Sequence, residues 1–420
     1  MDSLPFRRHQ PGVWLLGVIA PSLIALALYF FIKKGDQILR IAFHRDLRHV
    51  PGPRISRFTA LPLKLQGLTG QRTKYIHSLH ETYGPIIRIA PQEISVSDPA
   101  VVRQIHKIGT TFQKSIWYKE LTYQFDDDNC TVFAIQDPRK ASARRKLFQR
   151  AATRAAVRQW EPVVLKITQQ TVKKIKRDSE RGTADIAKWW SMMTADVLTS
   201  LAFGQAFHII DTEQKPRLIK DIEAALVLGG IRLELPWLWS ILKYIPLPGL
   251  GFPRALFTRL RDYGAIAIGN TRNAASRSGF KTLFSEMLPE DDEKEQPLSD
   301  RVIALESTNI IIAGSETTAV ALTFLVYAVL KDPALKQQLV GELATCSADP
   351  SWDELDKLPF LHGVIQETLR LYAPIPASLR RAVPDEGVVF GKYRIPPNTT
   401  VGTQAYTLHR DPGVWKDPEQ

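Results

Sequence analysis

Two short segments of this chain place acids, hydroxyls and an arginine at helical spacing. The first, Ala313 to Thr318, lies inside a long apolar stretch and includes Gly314, Glu316 and Thr317. Glycine inside a helix costs about 1 kcal/mol relative to alanine, which is tolerable where something approaches the backbone closely. The Thr317 hydroxyl can bond back to the Ala313 carbonyl one turn earlier. This turn is suited to delivering protons to a bound oxygen, although such a string also serves packing alone.

The second segment contains Glu367 and Arg370, which are three residues apart and therefore share one helix face. An exposed pair of this kind stabilises a helix by only a few tenths of a kcal/mol, on the order of 0.3. The surrounding stretch from Leu358 to Leu371 is rich in apolar residues, so a partly buried pair is a second interpretation. From these residues alone, a surface salt bridge is the simpler one.

The elements that would carry these residues are mostly helical. Helical patterning extends from Arg139 to about Thr345, and Ser299 or Asp300 is placed to cap the long helix that carries the first motif. Short β-branched runs at 86–90 and 93–96 predict a small hairpin, and further short strands follow residue 372. The predicted fold class is mainly α with a small β region (α+β).

A stretch without charges, Val13 to Ile32, matches the thickness of a bilayer core. The excess of basic residues after it favours a cytoplasmic C-terminal side, and its bulky, basic end favours an uncleaved anchor over a signal peptide. Pro51-Gly52-Pro53 then predicts a stiff elbow. The sequence therefore predicts a lumenal segment at 1–12, a transmembrane anchor at 13–32, a basic and proline hinge at 33–53, and a body at 54–420.

Composition narrows the possible partners. The chain carries a formal net charge of +12, with 44% hydrophobic residues, which is typical of a globular protein with an acidic partner such as a membrane surface or an acidic protein. No nucleic-acid motif is visible, so we expect no nucleic-acid partner. Cys130 and Cys346 are the two cysteines. Cys130 follows an acidic run that would raise the pKa of its thiol, and we expect neither cysteine to bind a metal.

In this order and spacing the motifs resemble those of the cytochrome P450 family, the membrane-anchored haem-thiolate monooxygenases of fungal type. Ala313 to Thr318 resembles the family's oxygen-activation signature, and Glu367 with Arg370 resembles its Glu-x-x-Arg pair. Residues 406–412 resemble the segment that leads to the family's haem loop. The resemblance implies the cytochrome P450 fold for the body at 54–420.

The resemblance also implies roles for single residues. Thr317 would support protonation of oxygen, with Glu316 as its acidic neighbour, and Gly314 and Ala313 would complete the catalytic turn. For cofactor binding, Arg145 and Arg381 would each hold a haem propionate, and Glu367 and Arg370 would hold the core around the haem. Ala141 stands where the family has a Trp or His, which puts one propionate contact in question.

The implied activity is insertion of one oxygen atom from O2 into a lipophilic small molecule, a terpenoid or polyketide of secondary metabolism. The implied partners are the endoplasmic reticulum membrane and an acidic NADPH-cytochrome P450 reductase. The family's axial cysteine lies in a glycine-rich loop that these 420 residues do not include. We therefore expect the chain as given to adopt this fold without its C-terminal part and to be inactive. Its retention of haem is expected to be doubtful.

Two other functions fit some of these observations. A non-catalytic truncated pseudoenzyme could bind the reductase or a related enzyme, because Lys146, Arg150, Arg154 and Arg158 recur every four residues as a basic ridge. The alternative for the ridge is a solvated helix face. A soluble helical lipid binder is the third possibility, and the ordered motifs argue against it.

Overall fold

The computed structural model describes residues 28–29, 32–122, 124, 126–151, 153–204, 207–249, 251–277, 282–284 and 298–419. The predicted lumenal segment at 1–12 and nearly all of the predicted anchor at 13–32 lie outside the described residues. Residues 32–42 are helical, and short 3-10 turns follow at Leu47–His49 and Arg54–Arg57.

The helices of the body are bounded as follows: α1 Leu61–Leu68, α2 Arg72–Tyr83, α3 Pro99–His106, α4 Trp117–Thr122, α5 Pro138–Ala151, α6 Arg154–Glu180, α7 Ile186–Phe203, α8 Ile209–Thr212, α9 Arg217–Glu234, α10 Pro236–Leu242, α11 Pro253–Arg277, α12 Asp300–Lys331, α13 Pro333–Leu343, α14 Trp352–Leu355, α15 Pro359–Leu371 and α16 Ala405–Leu408. The strands are β1 Ile86–Ala90, β2 Glu93–Val96, β3 Gln113–Lys114, β4 Ser378–Ala382, β5 Val388–Phe390, β6 Tyr393–Ile395 and β7 Thr400–Gln404. The predicted mainly α fold with a small β region is confirmed.

Short polar side chains start several of these helices by accepting backbone N–H groups that have no partner inside the helix. Ser299 accepts from Val302 N at the start of α12, so it, and not Asp300, is the cap that the sequence left undecided. Thr153 and Asp185 do the same for α6 and α7. The long helix that carries the first motif therefore begins where local sequence predicts.

The strands form two small sheets. The larger has the order β1-β2-β7-β4-β3, in which β1 and β2 form the predicted antiparallel hairpin and β7 runs parallel to β2. Strands β4 and β7 pair antiparallel, with Arg381 opposite Val401 and Leu379 opposite Thr403. Strands β5 and β6 form the second sheet. This topology brings the start of the body and its last strand side by side.

Helix α12 runs through the main core. It packs on α7, α11 and α15, and residues such as Trp189, Ile222, Leu256 and Ile311 are buried together between these helices. Within the described ranges, α12 is the one helix whose length and apolar composition would also allow it to span a bilayer. In the body it packs against these three helices, and 17% of its apolar window is buried.

The hinge predicted at 33–53 is fastened to the sheet by Arg88, which is 1% exposed. Its guanidinium donates to the carbonyls of Ile41 (2.8 Å), Ala42 (3.2 Å) and Leu47 (3.3 Å). Gly52 adopts a φ of 147°, and a Cβ there would lie 2.3 Å from the Arg88 carbonyl oxygen. The elbow thus needs glycine, and residues 41–52 pack as part of the body.

Candidate functional site

The turn predicted to be catalytic, Ala313 to Thr317, lies on the open side of α12. The Thr317 hydroxyl donates to the Ala313 carbonyl oxygen at 2.6 Å, as the spacing predicts. Ala313 is exposed and Thr317 is half-exposed, while Ser315, on the opposite side of the helix, is fully buried. The helix is continuous through this turn. One face of α12 therefore presents a hydroxyl and a small residue that a bound group can approach.

Gly314 serves the packing of α12 on α7. A Cβ at this position would lie 2.9 Å from Leu198 Cδ1. The close approach that the sequence predicted is therefore made by a side chain of the neighbouring helix. This packing sets the distance of Ala313 and Thr317 from the core.

Glu316 points along the flank of α12 toward α7. Its Oε1 accepts a hydrogen bond from the Ser191 hydroxyl at 3.0 Å. The structure does not bring this carboxylate onto the open face with Thr317, because successive helix positions are rotated by about 100°. Any proton passing between the two groups would have to pass around the helix.

A second acid on α12, Glu306, is fully buried and was missed by sequence reasoning. Its Oε1 accepts from the Arg144 guanidinium at 2.8 Å and from Val132 N at 2.7 Å. Burial raises the pKa of Glu306, and the Arg144 hydrogen bond opposes that shift. Glu306, Ala313 and Thr317 are spaced by nearly whole helical turns, so they share one face of α12. That face is covered at Glu306 by α5 and residues 130–132 and is open at Thr317.

Next to the buried pair lies Lys114, and Arg381 and the exposed Arg145 are close enough to repel its charge; we call these three residues the cation cluster. Burial, followed by repulsion from Arg381 and Arg145, lowers the pKa of Lys114 to about 8. The Lys114 ammonium donates to the carbonyls of Val132 (2.5 Å) and Phe133 (3.0 Å). Within the part of the chain that the structure describes, none of the three cations has a salt bridge to an acid.

The Arg381 side of this cation cluster is held by neutral partners. Arg381 Nη1 donates to the Tyr118 hydroxyl at 3.4 Å and to the Arg380 carbonyl at 3.1 Å. Burial and then Arg381 lower the pKa of His106 to about 4, so this imidazole adds no charge near neutral pH. The cluster therefore fits a ligand with more than one negative charge. Arg145 and Arg381 were predicted, whereas no local sequence signal marks Lys114.

Glu367 and Arg370 stand apart from the cation cluster. Arg370 is 5% exposed and donates to both Glu367 carboxylate oxygens, at 2.8 and 2.6 Å. It also donates to the carbonyls of His409 (2.6 Å) and Pro418 (2.7 Å), and its guanidinium lies 4.8 Å from the Trp415 ring centre. The simple surface salt bridge is therefore the wrong interpretation, and the pair fastens the segment that follows α16.

Cys130 is a structural thiol. It is fully buried with Ala134, Ile135 and Ala141, and its pKa is raised to about 11 by burial and by Asp127. Ala141, which replaces an aromatic residue in the family pattern, therefore belongs to a small core. Across the described ranges, no group of three or more His, Cys, Asp or Glu residues could hold a metal ion.

The basic ridge is partly neutralised within the chain. Arg158 makes a bidentate pair with Asp353 at 2.8 and 2.7 Å, and Arg154 lies 3.4 Å from Asp356. Both acids belong to or follow α14. These exposed pairs contribute little to stability, but they lower the positive potential on which the docking interpretation of the ridge depends.

Comparisons with known proteins match nearly the whole chain to one family. The family model described as Cytochrome P450 matches residues 50–420. Cytochrome P450 monooxygenase tazI of Aspergillus terreus is 35% identical, over 96% of this chain and 82% of the relative. Cytochrome P450 monooxygenase stcB of Emericella nidulans is 35% identical, over 91% and 74%. Methylphloroacetophenone oxidase of Cladonia uncialis is 32% identical, over 91% and 86%.

Proposed function

Because this chain belongs to the cytochrome P450 family, we propose that its residues form the greater part of a monooxygenase of fungal secondary metabolism. The reaction is insertion of one oxygen atom from O2 into a lipophilic small molecule. The observation that carries the proposal is the cation cluster next to the Arg144–Glu306 pair, because Lys114 and Arg381 have only neutral hydrogen-bond partners among the described residues and an anionic ligand would balance their charge.

Haem fits this cluster. Its two propionates would satisfy Lys114, Arg145 and Arg381, and relief of cation repulsion would favour the charged form of Lys114. Thr317 lies about 16 Å of helical rise beyond Glu306, on the same face of α12. Bound haem supplies the iron chemistry that activates O2. The chain's own contribution is to orient the cofactor by its propionates and to offer a hydroxyl above it.

The role we propose for Thr317 is to hold a proton donor near the open face. The hydroxyl hydrogen is directed to Ala313, while the hydroxyl oxygen can still accept a hydrogen bond. Gly314 and Ala313 keep this turn close to α7 and free of bulky side chains. Glu316, hydrogen-bonded to Ser191, would act as the acid from which protons reach this turn from the side.

For the ligand of the iron, neither cysteine in residues 1–420 is suitable. Cys130 is buried with a raised pKa, and Cys346 follows α13 far along the chain from the cluster. We therefore propose that residues 1–420 alone are inactive. To test this, the chain is expressed with haem supplied, reduced and exposed to CO. A stable thiolate-type Soret band would overturn the proposal.

Sequencing of the transcript provides an independent test of the proposed activity. The transcript is sequenced past the codon for Gln420. A reading frame that continues into a glycine-rich loop with a cysteine would support an active monooxygenase. An immediate stop codon in mature mRNA would contradict activity and favour the pseudoenzyme. A reductase pull-down at low salt then tests that second function.

Proteins of this family generally work with reductases and lipophilic substrates. For this chain we propose an NADPH-cytochrome P450 reductase as partner and a polyketide or terpenoid as substrate. One relative is named methylphloroacetophenone oxidase, after an aromatic ketone, and by similarity we propose an aromatic substrate for this chain. The measurement is a mass increase of one oxygen atom when candidate substrates are incubated with complete enzyme, reductase and NADPH.

Membrane association is proposed from an exposed apolar surface on α1 and α10. Leu61, Leu65, Trp237 and Ile241 are each more than half exposed, and α1 packs against α9, which leads directly into α10. We propose that this surface contacts the endoplasmic reticulum membrane beside the anchor predicted at 13–32.

Lipid quenching tests this contact. Brominated lipids in nanodiscs should quench Trp237, and the quenched fraction should fall in the Trp237→Phe variant of the full chain. Trp352, which is 53% exposed on α14, provides the matched control, since Trp352→Phe should leave lipid quenching unchanged. Equal quenching in both variants would refute the proposed orientation.

A further inference from the structure

Glu306 joins three segments of the fold at one buried carboxylate. It lies on α12 and is 0% exposed, and its Oε1 accepts hydrogen bonds from Arg144 on α5 and from the backbone N–H of Val132. Arg144 Nη1 also donates to the Cys130 carbonyl at 3.2 Å. The backbone at residues 130–132 is therefore fixed to α12 and α5 by the same ion pair.

The same stretch of backbone holds the ammonium of Lys114. Val132 contacts both charged groups, since its N–H donates to Glu306 at 2.7 Å and its carbonyl accepts from Lys114 Nζ at 2.5 Å. The carbonyl of Phe133 accepts a second hydrogen bond from Lys114 Nζ at 3.0 Å. One residue of the backbone thus links the buried acid to the cation cluster, so the position of Lys114 depends on Glu306.

Packing alone does not account for a charged residue at this position. Glu306 Oε2 is buried and has no hydrogen-bond partner among the described residues, and an unsatisfied buried carboxylate oxygen is destabilising. Buried ion pairs are often no more stabilising than apolar side chains of similar volume. The carboxylate therefore indicates a role that an apolar side chain could not fill.

The charge of Glu306 also acts on Lys114. Burial lowers the pKa of Lys114, as does repulsion from Arg381 and Arg145, whereas Cys130 and Glu306 act in the opposite direction. Burial raises the pKa of the Cys130 thiol to about 11, so this thiol is neutral near pH 7. Of these neighbours in the described part of the chain, Glu306 therefore supplies the negative charge that favours the ammonium.

We propose that Glu306 is a positioning residue for the anionic groups of the cofactor, because it holds the Lys114 ammonium at the cation cluster through the backbone at residues 130–133. Two N–H groups of Lys114 are bound to carbonyls, and the third is left for a ligand. Loss of the carboxylate frees this backbone and lets Lys114 turn to solvent. That the anionic groups are haem propionates rests on the proposed function, whereas the hold of Glu306 on Lys114 does not.

Competitive labelling of lysines with acetic anhydride, measured by mass spectrometry, tests this hold in the full chain without haem. Only the neutral amine reacts, so labelling at pH 7 reports how much of Lys114 is uncharged. In Glu306→Gln the amide oxygen still accepts from Val132 N, but the attracting charge is gone. Labelling of Lys114 at pH 7 should therefore rise about threefold or more.

Glu306→Leu should have the opposite effect. It removes the acceptor for Val132 N, so Lys114 becomes solvated and its pKa returns toward the ordinary value for lysine. Labelling at pH 7 should then fall about tenfold or more. The proposal is overturned if labelling of Lys114 does not rise in Glu306→Gln or does not fall in a folded Glu306→Leu variant. Should Glu306→Leu fail to fold by circular dichroism, Glu306→Gln decides alone.

Asp221 provides the matched control. Its side chain is likewise 0% exposed, and it pairs with Arg217 at 3.1 Å and with Arg259 at 2.9 Å, between α9 and α11. Asp221→Asn thus weakens a buried ion pair away from the cation cluster and should leave Lys114 labelling as in the parent. An equal change in Asp221→Asn and Glu306→Gln would reduce the effect to general destabilisation and overturn the proposal.

Protoporphyrin IX and its dimethyl ester separate this role from the proposed function. The iron-free porphyrin needs no cysteine ligand, and the ester keeps the ring but lacks the carboxylates. The parent chain should bind the acid at least about tenfold more tightly than the ester, and Glu306→Leu should lose most of this preference. A parent chain without the preference would refute the propionate assignment, while Lys114 labelling still decides the role of Glu306.

Discussion

Replacing each of three glycines inside long helices by alanine should change the free energy of unfolding in different directions. Gly264 lies where α11 crosses α12, and a Cβ there would lie 2.1 Å from the Ala304 carbonyl oxygen and 2.7 Å from Thr308 Oγ1. Gly269, also on α11, would meet nothing within 4 Å. Gly314 would meet only the tip of the Leu198 side chain, at 2.9 Å.

The magnitudes follow from two opposing contributions to the free energy of unfolding. Replacing glycine by alanine in a helix interior stabilises it by about 1 kcal/mol. At Gly269 this gain is unopposed, so Gly269→Ala should stabilise by about 0.5–1 kcal/mol. At Gly264 the backbone of α12 must move by roughly 1 Å or more, and overpacking of this kind costs about 1–3 kcal/mol or above. Gly264→Ala should therefore destabilise by about 2 kcal/mol, whereas Gly314→Ala should be within about 1 kcal/mol of zero.

Urea unfolding followed by circular dichroism measures all three variants, with unchanged slopes required for comparison. Gly269→Ala controls for helix propensity on the same helix as Gly264. A Gly264→Ala variant as stable as Gly269→Ala would refute the close crossing of α11 and α12, and with it the stated position of the catalytic turn above the core.

Three further outcomes are expected. Arg370→Leu should lower the free energy of unfolding by about 3–5 kcal/mol, because two backbone carbonyls and a carboxylate lose a buried partner. Glu367→Gln should lower it by about 1 kcal/mol, since Glu367 is half exposed. Urea unfolding measures both variants, and equal losses would contradict the buried role of Arg370. Since the pKa of Lys114 falls from 10.5 to about 8 on folding, the unfolded chain binds more protons between these values, so the free energy of unfolding should rise over this pH range. Lys114→Met should flatten that rise in urea midpoints, and an unchanged slope would argue against the cation cluster. In the complete haem-loaded enzyme, Thr317→Val should lower product formation per NADPH at least about tenfold. Thr317→Ser keeps the hydroxyl and should retain most of the product formation. Similar losses in both variants would show that the hydroxyl has no role in the reaction.

Prediction from sequence succeeded where the relevant partners are close along the chain. The Thr317 to Ala313 bond, the Ser299 cap and the β1–β2 hairpin are all local. It failed for Arg370, whose partners include carbonyls 39 and 48 residues further on. The same limitation applied to Glu316, whose hydrogen-bond partner is 125 residues away on α7.

The sequence by itself determined the family and the hydrogen-bonded turn from Ala313 to Thr317, because both depend on ordered short motifs and on the fixed periodicity of a helix. Tertiary structure alone decided which charged side chains meet. Arg144 and Arg145 are neighbours, yet rotation by one helical position sends Arg144 to the buried Glu306 and leaves Arg145 exposed on the side of Lys114. The cation cluster joins α5, β3 and β4, and a cleft of about 600 Å³ lies between α9 and the large sheet. Both depend on contacts between segments far apart in the chain, which no local pattern encodes.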